Sequence, residues 1–358
     1  MVKKKLLIII LLFGICTILN IKLIKNWIIL SKLSKLKKVP IQNQNLTQIQ
    51  PRAILSKPVL ITTTTTAIKT TKKLLASTSL NNFDFSYLVN TDKNYCGKSN
   101  GKDLLFIAFV PVSPNSFEIR DLIRSTWAHN KYLKSKAKVI FLLGISTESI
   151  VNFQINDESL TYADIVQYDF ADTFYNLTIK TIMGFKWVSS YCQNAKYTLK
   201  IDDDVVVNVP FLIDHLKDLV KKNKYKNNTL IGNCFKQAKV IRNPKSKFYM
   251  AKNEFESDYY HEYCLGLAYL VSSDLVLNLY KKYFLTSLLK FEDVYVGLLA
   301  KSLNSTFVYV NKNYHILKWN KKKFFFKKDK RLNEKYFINS NSHANFKDIW
   351  NFLSKKYF

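Results

Sequence analysis

The sequence predicts an α/β domain built on a mainly parallel central sheet, with one transmembrane helix in front of it. Two observations predict the domain. Uninterrupted apolar runs of strand length alternate with segments of helical periodicity from residue 104 onward, and a run of aspartates follows one of these strands. Strands that are buried on both faces have such runs, and helical connections make neighbouring strands parallel. The transmembrane helix is predicted by a long apolar segment near the N-terminus.

The apolar segment begins at Leu6, directly after three lysines, and extends to Leu30 if Lys22 and Lys25 are included. A helix of that extent crosses a hydrocarbon core of ~30 Å, and both lysines can snorkel. We therefore predict a cytosolic tail at residues 1–5 and an uncleaved signal anchor at residues 6–30. A cleaved signal peptide is the alternative, although no cleavage site of small residues follows the segment. Lysines are more numerous after the segment than before it, so the positive-inside rule does not itself indicate a lumenal domain.

Residues 31–95 are predicted to form an extended stem, because the Thr-rich stretch ITTTTTAIKTTKK and its polar neighbours cannot build a core. The folded domain is assigned to residues 96–358. Four N-glycosylation sequons suit a compartment of the secretory pathway, and they begin at Asn45, Asn176, Asn227 and Asn304. Four cysteines lie beyond the apolar segment: Cys96, Cys192, Cys234 and Cys264. They could form two disulfides in any of three pairings or remain buried free thiols, and the sequence does not decide between these alternatives.

The domain opens with the buried strand LLFIAFVPV at residues 104–112, followed by the helical segment FEIRDLIRSTWAHNKYL. The segments AKVIFLLGI and ADIVQYDF are typical of a second and a third strand, and NLTIKTIMGFKWVSSYC spaces its apolar residues at helical intervals. A fourth strand, YTLKI, leads directly into Asp202, Asp203 and Asp204. Ligands of such sheets bind beyond the carboxyl ends of the strands, so these aspartates are predicted to lie at a ligand site.

Three adjacent carboxylates repel one another, and apolar flanking residues strengthen the repulsion, so a positive partner is expected. Acids at a strand end are suitable ligands for Mg²⁺ or Mn²⁺, which would bind a substrate diphosphate at the same time. The alternative is an acidic turn before the helix NVPFLIDHL. The net charge of +29 is compatible with an anionic substrate, a lipid surface or nucleic acid, and also with biased composition alone.

Six motifs occur in an order that resembles one known family. They are IRSTW (123–127), FLLG (141–144), DIVQYDFADTFYNLTIKT (164–181), KIDDDVVVN (200–208), YCLGLAYLVS (263–272) and EDVYVG (292–297). Together they make the chain similar to the β-1,3-glycosyltransferases of glycosyltransferase family 31 over about residues 104–303. The resemblance implies the GT-A fold, a type II location in the Golgi membrane with a lumenal catalytic domain, and transfer of a hexose from a UDP-sugar.

The same resemblance implies which residues bind the donor substrate and the metal. Asp204 and His343 would bind Mn²⁺ or Mg²⁺, with His315 as the alternative histidine, and an imidazole suits Mn²⁺ better. Arg124 could grip the diphosphate with both arms of its guanidinium or brace the nucleotide loop. The full set implied to contact the UDP-sugar is Arg124, Asp172, Lys180, Asp202 and Asp203.

The second acidic pair, Glu292 and Asp293, is implied to be catalytic. Asp293 would be the general base that takes the proton of an acceptor hydroxyl while its oxygen attacks the anomeric carbon. One base and a metal-stabilised diphosphate leaving group suffice for a single displacement with inversion. The acceptor would be a glycan on a glycoprotein or glycolipid, extended by a β-1,3 linkage. The alternative is that both acids only stabilise the first turn of a helix.

Three other functions compete with this prediction. A nucleic-acid-binding protein would explain the positive charge but not the clustered acids, so we predict no nucleic-acid partner. A glycoside hydrolase needs two carboxylates across one sugar, whereas residues 202–204 are adjacent. The main alternative is a catalytically silent family member that acts as a lumenal binding or chaperone subunit. It rests on Leu265, which stands where members of the family commonly carry Ser.

Overall fold

The computed structural model describes residues 81, 85–222, 227–316 and 330–357, apart from the side chains of His315, Lys330, Arg331, His343 and Tyr357. The chain divides into two units at residue 65, and every described residue belongs to the second unit. The predicted cytosolic tail and signal anchor, and the stem up to residue 80, therefore lie outside the described residues. Within the described ranges, no helix is both long and apolar enough to cross a membrane.

The described residues form thirteen strands and eight α-helices. The strands are β1 (Tyr87–Val89), β2 (Phe106–Pro111), β3 (Ala137–Ile145), β4 (Ile165–Ala171), β5 (Tyr197–Ile201), β6 (Val205–Val207), β7 (Thr229–Phe235), β8 (Ala238–Lys239), β9 (Tyr259–Tyr260), β10 (Tyr263–Ser272), β11 (Thr306–Tyr309), β12 (Tyr314–Ile316) and β13 (Phe337–Asn339). The helices are α1 (Phe117–Ser125), α2 (Asn130–Leu133), α3 (Ser149–Tyr162), α4 (Leu177–Tyr191), α5 (Val209–Lys221), α6 (Ser273–Tyr283), α7 (Glu292–Ser302) and α8 (His343–Tyr357).

The central sheet has eight strands in the order β1-β4-β3-β2-β5-β10-β7-β11. The run β4-β3-β2-β5 is parallel throughout, and β7 is parallel to β11. Strand β10 is antiparallel to both of its neighbours, and the short edge strand β1 is antiparallel to β4. The α/β class and the mainly parallel sheet predicted from the sequence are confirmed, with the antiparallel strand β10 inserted between β5 and β7.

Helices cover both faces of this sheet. Alternate residues of β2 belong to two different apolar clusters, with Phe106 and Ala108 in one and Ile107 and Phe109 in the other. Helices α1, α5 and α8 contribute to the first cluster, and α4, α6 and α7 to the second. A strand that is buried on both faces has no reason to alternate polar and apolar residues, which explains its continuous apolar run.

Helix α4 packs unusually close to the sheet. A Cβ atom at Gly184 would lie only 2.6 Å from Leu142 Cδ1 and 3.1 Å from the ring of Phe109, so a side chain there would push the helix away. Glycine is otherwise unfavourable inside a helix, and the close contact is the physical reason for it here. The short distance carries Lys180, near the start of α4, to the carboxyl ends of the parallel strands.

The folded unit extends further toward the N-terminus than the boundary at residue 96 that the sequence predicts. Residues 85–95, assigned there to the stem, include β1, whose Tyr87 pairs with Tyr168 of β4. Asn90 Oδ1 also accepts a hydrogen bond of 2.9 Å from the indole of the buried Trp187. A strand of three residues is too short to give a periodic pattern, and its partners are distant in sequence, so the composition of the stretch hides it.

Two disulfides form among the four cysteines beyond the apolar segment. Cys96 is bonded to Cys192, which ties the segment before β2 to the end of α4. Cys234 is bonded to Cys264 across the register-paired strands β7 and β10. This pairing is one of the three that the sequence leaves open, and it requires the antiparallel contact between β7 and β10, which the sequence does not reveal.

Candidate active site

Two acidic segments meet at the carboxyl end of the parallel strands. Residues 202–204 follow β5, and Glu292 and Asp293 begin α7. Both segments line one cavity of about 440 Å³. Its lining comprises Phe174, Leu177, Lys200, Asp202, Asp204, Lys239, Ile241, Lys247, Phe248, Tyr260, Tyr263, Leu265, Gly266, Leu267, Lys290, Phe291, Glu292, Asp293 and Val294. The rule that ligands of α/β sheets bind at this edge therefore locates the cavity correctly.

Lys200 lies at the base of this cavity and joins the two acidic segments. Its Nζ is 2.5 Å from Asp202 Oδ1 and 3.2 Å from Glu292 Oε2, and it also donates to the carbonyl oxygen of Gly266 at 2.5 Å. Burial lowers the pKa of Lys200, but the two carboxylates outweigh burial and hold the pKa above its ordinary value. The lysine therefore carries a charge although its side chain has no exposed surface.

Glu292 and Asp293 are adjacent in sequence but differ in their partners. Glu292 accepts a hydrogen bond from the buried hydroxyl of Tyr269, and burial raises its pKa to about 7 against the opposing effect of Lys200. Asp293 accepts hydrogen bonds from the backbone N–H of Gly266 at 3.1 Å and of Val294 at 2.9 Å. Burial also raises the pKa of Asp293, against these two donors, which brings its affinity for a proton closer to that of a general base.

Asp204 is fixed by the C-terminal part of the chain. Its Oδ2 accepts a hydrogen bond of 2.9 Å from Asn339 Nδ2, and its carbonyl oxygen accepts two from Ser340. Strand β13 ends at Asn339 and Ser340 follows it directly, and both lie beside Asp204 because β13 pairs with β6, the strand that follows the aspartates. Asp204 lines the cavity, and within the part of the chain that the structure describes its other carboxylate oxygen accepts no hydrogen bond.

Asp203 belongs to a second group, with Asp172 and Lys180. Lys180 Nζ lies 2.6 Å from Asp172 Oδ2 and donates to the carbonyl oxygen of Val112 at 2.9 Å. Asp172 Oδ2 also accepts a hydrogen bond of 2.7 Å from the N–H of Gly144. Burial, together with the neighbouring Asp202 and Asp204, raises the pKa of Asp203 to about 6. The ends of β2, β3, β4 and β5 thus converge on Lys180.

Arg124 lies away from these groups. Its guanidinium pairs in a bidentate manner with Asp164 at 2.7 and 2.8 Å, and it also contacts Glu158 at 2.7 Å and Asp121 at 2.9 Å. It does not line the cavity that contains Asp204 and Asp293. The predicted contact of Arg124 with the donor stays a prediction, and the geometry gives it no support, because its donor groups already have carboxylate partners.

Of the two predicted metal ligands, Asp204 and His343, the structure describes only the side chain of Asp204. Helix α8 begins at His343, three residues after Ser340, but the side chains of His343 and His315 are outside the described residues, so their predicted role stays a prediction. Among the described residues, no group of three or more His, Cys, Asp or Glu could hold a metal ion. Asp202 and Asp204 nevertheless fit a hard divalent cation, since Mg²⁺ and Mn²⁺ sites often take one or two carboxylates and fill the remainder with water and substrate phosphate.

Three site residues were not identified from the sequence as partners of the acids: Lys200, Tyr269 and Asn339. A lysine inside the buried strand YTLKI is itself a signal, because a fully buried cation requires a paired acid. The sequence does not identify which acid pairs with Lys200, since Glu292 belongs to a different element of the fold. Asn339 lies in the C-terminal segment, and nothing in its local pattern distinguishes it from a surface asparagine.

The molecule is thus an α/β protein with two acidic segments at the carboxyl edge of its sheet, and the comparisons with known proteins assign its family. The galactosyltransferase family matches residues 118–309, which extend from α1 to the end of β11 and include both acidic segments. The chain therefore belongs to the galactosyltransferase family. The family resemblance inferred from the six motifs is confirmed.

Individual relatives agree with this assignment. The chain is 33% identical over 228 residues to a lactosylceramide 1,3-N-acetyl-beta-D-glucosaminyltransferase of Xenopus tropicalis, covering 61% of this chain and 59% of the relative. It is 34% identical over 225 residues to beta-1,3-galactosyltransferase 1 of Mus musculus, covering 63% of this chain and 67% of the relative. Among solved structures, S. aureus TarS matches 71% of this chain and 39% of its own with a TM-score of 0.37 at 15% identity.

Proposed function

We propose that this chain is a metal-dependent inverting glycosyltransferase of the GT-A fold. It transfers a hexose, either galactose or an N-acetylhexosamine, from a UDP-sugar to a glycan hydroxyl and forms a β-1,3 linkage. We further propose that it is anchored in the Golgi membrane as a type II protein with its catalytic domain in the lumen. Family membership and the names of the two relatives support the reaction class.

One observation carries the proposal: Asp204, which follows the end of β5, and Asp293, which accepts a hydrogen bond from Gly266 of β10, line the same cavity. Strand β10 runs antiparallel to β5, with Ala268 opposite Ile201, so residues 265–267 project past the end of β5. The peptide of Gly266 then holds Asp293 toward the space above the aspartates. The fold thereby brings together a carboxylate for the metal and the donor, Asp204, and a general base for the acceptor, Asp293.

The donor side is assigned to residues 202–204 together with Asp172 and Lys180. Asp204 and Asp202 would hold the divalent cation, which when bound would offset the negative charge of the departing diphosphate. Asp172 is fixed by the N–H of Gly144 and by Lys180, so its carboxylate is held still where β3 and β4 end. Such fixed polar groups suit a ribose or a base of the nucleotide, because binding then requires little reorganisation.

The acceptor side is assigned to Asp293. Its carboxylate takes the proton of the acceptor hydroxyl as that oxygen forms a bond to the anomeric carbon, while the bond from this carbon to the diphosphate oxygen breaks. The two oxygens lie on opposite faces of the sugar, so the configuration inverts. Burial raises the pKa of Asp293, which strengthens it as a proton acceptor relative to a carboxylate in water.

The remaining wall of the cavity suits a sugar. Aromatic rings of Phe248, Phe291, Tyr260 and Tyr263 line it, and Phe248 is half-exposed at its edge. Aromatic rings offer broad apolar faces with little conformational freedom, against which the apolar face of a pyranose can pack. A glycan on a glycoprotein or a glycolipid is the acceptor that we propose, in agreement with the lipid-linked acceptor named for the Xenopus relative.

The proposal is tested by purifying the full chain in detergent and measuring UDP release and glycan product with UDP-galactose, UDP-N-acetylglucosamine and UDP-N-acetylgalactosamine. One donor should give acceptor-dependent release that stops on chelation and returns with Mn²⁺. Asp204→Asn should lower the rate by several orders of magnitude, because the cation loses a ligand. Asp214→Asn is the matched control, since that aspartate is exposed on α5 and lies outside the cavity.

Two results would contradict the proposal in different ways. Full activity in the presence of chelator would remove the metal from the reaction. Binding of UDP without transfer from any donor would instead support the silent binding or chaperone subunit.

A further inference from the structure

Lys200 is a buried cation whose hydrogen-bonding capacity is filled by three different elements. Its ammonium contacts Asp202 after β5, the carbonyl oxygen of Gly266 in β10 and Glu292 at the start of α7, at 2.5, 2.5 and 3.2 Å. An ammonium has three N–H groups, so all of them are engaged. Because the side chain of Lys200 has no exposed surface, it cannot itself bind a substrate.

The peptide of Gly266 connects Lys200 to Asp293. Its carbonyl oxygen accepts from Lys200 while its N–H donates to Asp293 Oδ2 at 3.1 Å. The ladder between β7 and β10 is irregular from Cys264 to Tyr269, which turns this peptide out of the regular pairing. A Cβ atom at Gly266 would meet Glu292 Oε2 at 3.1 Å and Asp293 Cβ at 3.4 Å, so the peptide of Gly266 packs directly against both acids.

Glu292 provides a second connection from Lys200 to Asp293. Its carboxylate is held between Nζ of Lys200 and the hydroxyl of Tyr269, and its side chain is almost completely buried. Glu292 and Asp293 are consecutive residues of the first turn of α7, so fixing the first fixes the rotation of the second. Lys200 thus acts on Asp293 both through the peptide of Gly266 and through the start of α7.

We propose that Lys200 is a positioning residue, which holds the carboxylate of Asp293 in place for proton transfer by fixing Gly266 and Glu292. This inference rests on the proposed function, in which Asp293 is the general base. Lys200 contributes to turnover without contacting donor or acceptor. Displacing a catalytic group by ~1 Å can lower a rate ~10²-fold, so losing both connections is expected to have a large effect on kcat.

Lys200→Met is the direct test, with Lys222→Met as the control, because Lys222 is exposed at the end of α5. We expect kcat for transfer to fall about 10–100-fold in Lys200→Met while the KM for the UDP-sugar and the Kd for UDP change by less than about 3-fold. The double variant Lys200→Met with Glu292→Gln removes the carboxylate that Lys200 neutralises. It should recover part of the lost kcat, since the two residues act as one unit.

Hydrogen exchange supplies a readout that does not depend on transfer. In Lys200→Met, peptides covering residues 263–270 and 291–296 should exchange faster, because the N–H groups of Gly266 and Val294 lose a well-fixed acceptor in Asp293. Exchange near Asp172 should stay the same. A parent chain without transfer activity would overturn the proposed function, and exchange would then still decide whether Lys200 positions Asp293.

Two outcomes would overturn the inference about Lys200. One is a folded Lys200→Met variant with parental kcat and parental exchange in both peptides. The other is loss of UDP binding in proportion to the loss of kcat, which would assign Lys200 to the donor side through Asp202. If Lys200→Met does not fold, parental kcat in the double variant overturns the inference equally.

Discussion

Two ionic clusters in this molecule are built from the same kinds of charged residue but differ in how far their charges balance. The arginine cluster lies beside α1 and α3 and consists of Arg120, Arg124, Asp121, Glu158 and Asp164. The acid-rich cluster lies at the carboxyl edge of the sheet and consists of Lys180, Lys200, Asp172, Asp202, Asp203, Asp204, Glu292 and Asp293. The first nearly neutralises itself, whereas the second has six acids against two lysines.

The difference between the clusters separates a network of paired charges from the site that we propose for the donor and the metal. In the arginine cluster every strongly buried charge has a close partner, as in the contact of Arg120 with Glu158 at 2.5 Å. In the acid-rich cluster, Asp203 and Glu292 have raised pKa values because burial and neighbouring acids outweigh the lysines. Excess buried negative charge is costly, and a ligand that brings a cation would offset it. The imbalance, and not the mere presence of charge, marks the site.

The largest effect is expected from Asp293→Asn, which takes a proton acceptor out of the acid-rich cluster. The amide keeps the size of the side chain and can still accept from Gly266, but it cannot take the proton of the acceptor hydroxyl. Transfer should fall about 10²–10⁴-fold, the usual contribution of a positioned general base. The Kd for UDP should change little. Paired measurements of transfer kinetics and UDP binding check both statements.

Glu292→Gln serves as the comparison within the same turn, and its loss of transfer should be smaller, because Glu292 only orients its neighbours. Near-normal turnover in Asp293→Asn would remove Asp293 from the reaction. Combined loss of turnover and of UDP binding would make its role structural.

The next effect is expected from Arg124→Met in the arginine cluster, and it should be an effect on stability. The substitution leaves Asp164 without its main partner, while Glu158 keeps its contact with Arg120, and breaking a buried ion pair from one side costs about 3–5 kcal/mol. Chemical denaturation measures that loss. The Kd for UDP of the folded fraction should stay within about 3-fold of the parent. Weakened UDP binding in a stable variant would instead support the donor contact that the sequence predicts for Arg124.

Much of the site was predictable, because its residues follow general rules of α/β sheets. The aspartates after β5 had to reach the carboxyl edge, and the acids at the start of α7 could be placed only by family resemblance. The role of Arg124 could not be decided in the same way. Its position after the first strand suits either a ligand or an ion pair, and its partners Glu158 and Asp164 come from the end of α3 and the loop beyond it.

The local sequence pattern also failed to predict elements whose formation depends on a partner that is distant in sequence. Strand β1 has only three residues, and its pairing with β4 depends on aromatic contacts such as that between Tyr87 and Tyr168. The charge imbalance of the acid-rich cluster is likewise a property of the folded arrangement, since the sequence gives the acids but not which lysines lie within reach. Lys200 and Lys180 are two among 55 Lys and Arg residues.

The smallest effect concerns the pH dependence of stability, and it tests whether the acid-rich cluster is in fact under-neutralised. Glu292 faces Lys200, Asp293, Asp202 and the hydroxyl of Tyr269, and its pKa rises from 4.5 to about 7 on folding. Between those values the folded chain binds more protons than the unfolded chain, so the contribution of Glu292 to stability falls as pH rises. Glu292→Gln lacks this group. The stability of the variant relative to the parent should therefore increase between pH 5 and pH 8, by at most about 3 kcal/mol.

Thermal unfolding of both proteins without added metal, at matched ionic strength, measures this difference. Titrating groups that do not contact Glu292 contribute nearly equally to the stability of the two proteins, and subtraction removes their contribution. Added Mn²⁺ with UDP should reduce the pH dependence, because positive charge at Asp204 and Asp202 would favour the ionised form of Glu292 nearby. A difference that stays flat with pH, or that falls as pH rises, would mean that Lys200 alone neutralises Glu292. The acid-rich cluster would then be as complete as the arginine cluster, and its excess of acids would no longer indicate a missing cation.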